Sequence, residues 1–261
     1  MANYIDQEIV CEAYVHLDVG DAISLQEIER IKSQLKKFFD ARVEFLLGPG
    51  VETSIQTADG SLKVTLTAFA GIATLLGGAV LNYADFRSSV RSIHEDSKML
   101  AEATNLETIF VTRTPSCDRL HAEARTGVIG RTAKLLTAID TLKTQIQDLG
   151  APATKSNVFS IDQQAKTVAR LGNEAVTLLG KVSSDENRLC LARGIYDAMK
   201  QLPDSLPAEL ELKNDPLKQS LLKQAQQDLL AIAAFQSYTT AIRGAREALK
   251  RIGVASKPKP A

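Results

Sequence analysis

Between Lys63 and Asp85 the chain runs for 21 residues without a charge: VTLTAFAGIATLLGGAVLNYA. This stretch constrains the fold more than any other, because it must be hidden from water by lipid or by the protein's own packing. About twenty residues is the length that spans a bilayer as a helix. Eight of them are strongly apolar: Val64, Leu66, Phe69, Ile72, Leu75, Leu76, Val80 and Leu81. Their summed insertion energy is roughly −3 kcal/mol. Gly71, Gly77, Gly78, the threonines and Asn82 oppose it, which puts insertion near balance.

Read as a helix, the segment has a small-residue stripe of Thr67, Ala70, Gly71, Thr74, Gly77 and Gly78, and a bulky side of Phe69, Ile72, Leu76 and Val80. Ala73 and Gly77 fit the small-xxx-small spacing that lets helix backbones approach closely in lipid. The alternative is burial in water-soluble packing. If Lys63 to Thr67 completes a hairpin, the remaining residues 68–83 are too short to span and become a buried central helix.

Upstream, residues 8–19 alternate, with Ile9, Cys11, Ala13, Val15, Leu17 and Val19 on one side, which predicts a strand. Ser24 and Glu27 form a capping-box pattern with Ile23 and Ile28 placed as a hydrophobic staple, opening a helix to about Phe39. Arg42 to Leu47 reads as strand. Val51 to Thr57 alternates, and Asp59-Gly60 turns the chain back into Ser61 to Val64. The N-terminal 1–67 therefore reads as a small β-α-β-β layer.

Downstream the signals are helical. Tyr83 to Thr112 keeps helical spacing. Thr114-Pro115 opens a second helix toward Leu149, and two more cover about 161–182 and 185–202. Asp215-Pro216 opens a long last helix to Arg251, closed by Gly253. The expected fold is mainly α, with the α+β layer followed by a multi-helix bundle over 68–253 and a disordered tail over 254–261. Roughly two thirds of the chain is expected to be helical, above the usual third.

Motifs for chemistry are sparse. Gly48-Pro49-Gly50 and Thr126 to Thr132 lack the residues of a phosphate loop. Cys117 and His121 are four apart on the expected helix, the spacing of a nucleophile–base pair or half a zinc site; His16, His94, Cys11 and Cys190 add no ligand-like spacing. No catalytic, cofactor or metal residue is nominated. An odd count of three cysteines and an N-terminus unlike a secretory signal point to the cytoplasm, with the inner membrane as the surface such a protein would meet.

Charge narrows the partners. Thirty-one basic and 31 acidic residues leave a formal charge of zero, which argues against nucleic acid. Arg243, Arg246, Lys250 and Arg251 form a basic patch near the C-terminus. The expectation is a non-enzymatic, oligomerising helical protein with protein partners that contacts membrane, or inserts conditionally, through residues 64–84. The membrane-side candidates are Phe69, Ala70, Gly71, Ile72, Ala73, Thr74, Leu76, Gly77, Gly78 and Val80. A soluble adaptor that buries the segment is the alternative, and a Cys-dependent enzyme is third.

Overall fold

A computed structural model describes residues 8–17, 24–58, 62–76, 82–113, 119–149, 155–206 and 226–255. The elements are β1 (Ile9–Leu17), α1 (Leu25–Leu47), β2 (Glu52–Ala58), β3 (Leu62–Phe69), α2 (Ile72–Leu75), α3 (Tyr83–Thr112), β4 (Arg119–Arg125), α4 (Gly127–Gln147), α5 (Lys155–Leu179), α6 (Asp185–Lys200) and α7 (Gln226–Ala255). The chain is mainly helical with a small N-terminal antiparallel sheet, as the patterning predicts. It divides into two compact units: residues 1–133 with 181–187, and residues 134–180 with 188–261.

The first unit is built on a four-stranded sheet in the order β2-β3-β1-β4, with every pairing antiparallel. With α1 and α3 this is the split β-α-β, or ferredoxin-like, order. Strand side chains alternate between faces. Cys11, Ala13, Val15 and Leu17 of β1 and Leu62, Val64, Leu66 and Ala68 of β3 turn to one face, where they pack with Ile31, Leu35, Phe39 and Val43 of α1 and Leu100 and Ala101 of α3. Those α1 residues recur every four positions, the stripe of an amphipathic helix.

The start of α1 uses half of the capping box. The Ser24 hydroxyl accepts from the Glu27 N–H at 3.2 Å, while the Glu27 carboxylate turns to Arg30. Ile23 of the expected staple lies outside the described residues, as does the Asp59-Gly60 turn. The strand expected at Arg42 to Leu47 is instead the end of α1. Val43 falls one turn beyond Phe39, and Leu46 and Leu47 pack against the same core, so the helical stripe continues. Gly48 stops it at φ +86°, with its N–H returned to the Glu44 carbonyl.

Three further expectations are corrected. The α+β layer does not end at residue 67, because its fourth strand comes from Arg119–Arg125. Of the helix expected from Pro115 to Leu149, the described residues begin at Arg119 and form a strand followed by α4. Among the inward positions of β4, Ala122 and Ala124 are helix formers by propensity, and only pairing with β1 makes them a strand. The uncharged run is also no single helix. Its first part is β3, in the interior of the sheet, and its next is α2, a single turn ending at Leu76. Val64-Thr65-Leu66-Thr67 alternates with β-branched residues, which suits a pleated strand better than a helix. Among the described residues, no helix is long and apolar enough to cross a membrane.

In the second unit α5 packs along α7. Tyr238 of α7 is fully buried and donates from its hydroxyl to the Pro203 carbonyl at 2.9 Å. The described part of the last helix begins at Gln226; Asp215-Pro216 and the apolar positions Leu217, Leu221 and Leu222 lie outside the described residues. Its end lies at Ala255, past the expected stop at Gly253. The tail beyond residue 255 is likewise outside them.

Candidate functional site

Of the residues nominated from the uncharged run, all the described ones but Thr74 are buried or half-buried. Phe69, Ala70 and Gly71 are half-buried where β3 ends, and Ile72, Ala73 and Leu76 are buried, while Thr74 is exposed. Gly77, Gly78 and Val80 lie outside the described residues. A hydrogen-bonded clasp holds the start of α2. The Asn187 side-chain oxygen accepts the Ala73 N–H at 2.7 Å, and its amide nitrogen donates to the Glu8 carboxylate at 2.6 Å. The other Glu8 oxygen accepts the Ser184 N–H at 2.9 Å. Glu8 itself is in the left-handed region, at φ +56°, a conformation that costs a non-glycine residue about 1 kcal/mol or more. Two hydrogen bonds to its carboxylate offset that cost.

The basic candidates divide. Arg243, Lys250 and Arg251 are exposed, with Arg251 3.6 Å from Glu247 one turn before it. Arg246 is a structural residue. Its guanidinium donates to the carbonyls of Met199 at 3.2 Å and Leu202 at 2.7 Å, and pairs with Asp204, so it satisfies the orphan carbonyls at the end of α6.

The face of the sheet opposite the apolar core is polar. It carries Glu12, Tyr14 and His16 on β1, Lys63, Thr65 and Thr67 on β3, and Glu123 and Arg125 on β4, by the alternation. Arg125, at the end of the edge strand β4, organises one part of it. The guanidinium pairs with the buried Glu12 and with Glu123 at 2.6 Å, and it lies 5.2 Å from the centre of the Tyr14 ring. Hydrogen bonds to Glu123 and Glu12 raise its pKa above the ordinary arginine value, against the opposing pull of burial. Sequence spacing carried no sign of this cluster, because Glu12 and Arg125 come from opposite ends of the unit.

Cys117 lies outside the described residues, and His121 stands on β4, so the helical spacing expected to join them is not formed at residues 119–125. Instead the sheet register sets His121 opposite His16. Cys11 is buried and donates its S–H to the Ser97 carbonyl at 3.2 Å; burial, then the Glu12 charge, pushes the thiol well above its ordinary range. Among the described residues, no group of three or more His, Cys, Asp or Glu is arranged to hold a metal ion. A groove of about 300 Å³ at the end of α1 is lined in part by Asp40, Glu44, Gly48 and Thr53. Lys36 already occupies its acidic side, 2.6 Å from both Asp40 and Thr53.

The outer side of α3 exposes large apolar residues. Met99 is 50% exposed, Leu106 66% and Phe110 78%. They fall on one side of the helix at helical spacing. Leu25, at the start of α1, is equally exposed. The Glu27 carboxyl near the start of α1 is held below the usual range by hydrogen bonds to Arg30, with the charges of Arg30 and of Arg113 adding weakly. No known protein family, curated protein or solved structure matches this chain.

Proposed function

We propose that this chain is a non-enzymatic assembly protein that oligomerises through the apolar stripe of α3, with its uncharged segment serving as internal packing. The exposure of Met99, Leu106 and Phe110 on one helix side carries this reading. A contiguous set of large exposed apolar side chains is the mark of a docking surface rather than of a free face. The partner is a second copy of the chain. A two-fold contact needs only one self-complementary patch. Lys98, Glu102, Glu107 and Arg113 border the stripe with both signs of charge, and the chain as a whole is neutral, so copies do not repel. Burying the three α3 residues and Leu25 from both copies contributes at most roughly 12–24 kcal/mol. That exceeds or matches an association cost of about 4–15 kcal/mol.

The burial of Val64, Leu66, Ala68, Ile72 and Ala73 favours this scaffold reading over membrane contact. Reaching lipid through residues 64–84 would require β3 to leave the interior of its sheet. The test is molar mass by light scattering for the natural chain beside a Leu106→Glu/Phe110→Glu variant. The natural chain is expected as an oligomer and the variant as a monomer with an unchanged circular dichroism spectrum. A monomeric natural chain, or an oligomer indifferent to both substitutions, overturns the reading. Recovery of the natural chain with floated anionic vesicles restores the membrane reading.

A further inference from the structure

The sheet of the first unit has two outer strands, β2 and β4, and they differ. An outer strand presents unpaired backbone N–H and C=O groups, and proteins guard such edges with charge, proline or bulges. β4 is guarded: Arg119, Glu123 and Arg125 lie within it, and its pairing with β1 shifts register between His16 and Leu17. β2 is not. Its seven residues, ETSIQTA, hold one charge, Glu52 at the first position, and no proline, and it runs against β3 without a register shift. Among the described residues, no strand pairs with its outer side. Ile55, at its midpoint, is only half-buried at the margin of the apolar core. Lys36 and Asp40 of α1, beside β2, are bonded to each other and to Thr53, so their charges offset.

We infer that β2 is a pairing edge for β2 of a second copy of the chain, joined antiparallel about a two-fold axis. Main-chain hydrogen bonds drive strand addition of this kind. An axis perpendicular to the sheet keeps the helices of both copies on one side, so odd-numbered residues face odd and even-numbered face even. The register that pairs all seven residues then centres on Ile55. Ile55 meets Ile55 of the copy, and each half-buried side chain gains an apolar neighbour. Thr53 faces Thr57, Ser54 faces Gln56 and Glu52 faces Ala58, so no like charges are opposed. α3 lies against β1 and β4, in the other half of the sheet, so the β2 contact and the α3 contact use separate surfaces. A single strand pair is the smaller contact and the weaker one. Two different two-fold contacts on one chain join more than two copies, so β2 pairing links α3 dimers into larger assemblies. The larger assembly rests on the α3 contact; the strand pairing does not.

Sedimentation of the full chain over rising concentration tests the edge. The natural chain is expected to pass from the α3 dimer to larger species. Ser54→Lys/Gln56→Lys sets lysine opposite lysine in this register and should hold the chain at the dimer. Ser54→Lys/Gln56→Glu sets lysine opposite glutamate and should restore the growth. Circular dichroism should be the same for all three chains. Hydrogen exchange of the natural chain keeps the test independent of the substitutions: the outward N–H groups of residues 52–58 should exchange more slowly as concentration rises. Growth unaffected by the lysine pair, no recovery with the lysine–glutamate pair, or exchange at 52–58 indifferent to concentration overturns the assignment. The two contacts are lost separately. A dimer that never grows yet yields to Leu106→Glu/Phe110→Glu keeps the α3 contact and overturns the β2 edge. Association that resists those substitutions and yields to the lysine pair does the reverse.

Discussion

Gly172 of α5 and Ala245 of α7 meet where the two helices of the second unit press together: a methyl group added at Gly172 would lie 2.7 Å from the Ala245 side-chain carbon and 3.3 Å from its Cα. The second distance is to backbone, so relief requires the helices to separate. Overpacking of this kind costs about 1–3 kcal/mol. The alanine also regains about 1 kcal/mol of helix propensity. Gly172→Ala is therefore expected to destabilise the second unit by up to about 2 kcal/mol, and Ala245→Gly added to it should recover the packing part. Urea unfolding of the single and double variants checks this; a Gly172→Ala chain as stable as the natural one would show that the helices are not in close contact.

The Glu12 carboxylate is buried and depends on Arg125. Arg125→Met removes the cation and leaves that charge without it. Breaking a buried pair costs about 3–5 kcal/mol, and the lower end applies because the arginine side chain is 21% exposed. Glu12→Gln, which keeps a hydrogen-bonding oxygen, should cost less. Chemical denaturation followed by the first unit's tyrosine fluorescence separates the two variants. Equal stability of Arg125→Met and the natural chain would refute the role given to this pair.

Asn187→Ala strips the partner from the Ala73 N–H and from one oxygen of Glu8. An unsatisfied buried donor costs about 1–3 kcal/mol. Asn187→Asp should be the more damaging, because it sets a second carboxylate against Glu8 while still accepting from Ala73. Hydrogen exchange at residues 72–76 reports the loosening directly: faster exchange is expected in both variants, and unchanged protection would count against the clasp.

Alkaline pH should weaken both units in turn. Cys11 has its pKa raised by burial and by Glu12, so the folded chain keeps a proton that the unfolded chain releases above about pH 8.5. Stability is thus complete below that pH and falls above it, by up to about 1.4 kcal/mol per pH unit. Tyr238, raised by burial with Asp204 adding and Arg246 opposing, begins a second loss near pH 10. Cys11→Ala should remove the first part of the decline in urea midpoints and leave the second. Cys11 should also resist thiol reagents until the first unit unfolds, and prompt labelling in the native state would contradict its burial.

Strong local periodicity was legible. Tyr83–Thr112 keeps its apolar spacing over eight turns, and the structure ends the helix at those residues. The β1 alternation and the β2–β3 hairpin are equally plain, because one buried face imposes a period of two. Short or weakly apolar windows were not decidable. Arg42 to Leu47 is compatible with either period, and Ala122 and Ala124 carry too little hydrophobicity to mark β4. The polar cluster of Glu12, Tyr14, Glu123 and Arg125 left no sequence signal, since it is assembled from strands far apart in the chain.

From the residue order alone came the mainly helical class, the amphipathic stripes and the obligation to hide residues 64–84 from water. Each of these follows from spacing and polarity within a few turns of chain. Only the tertiary structure decided that residues 64–69 pack as a sheet strand followed by the single turn 72–75, that β4 joins the sheet, and that His16 stands opposite His121 in its register. Those outcomes depend on strand pairing between distant segments, and register is set by the whole core face rather than by any local stretch.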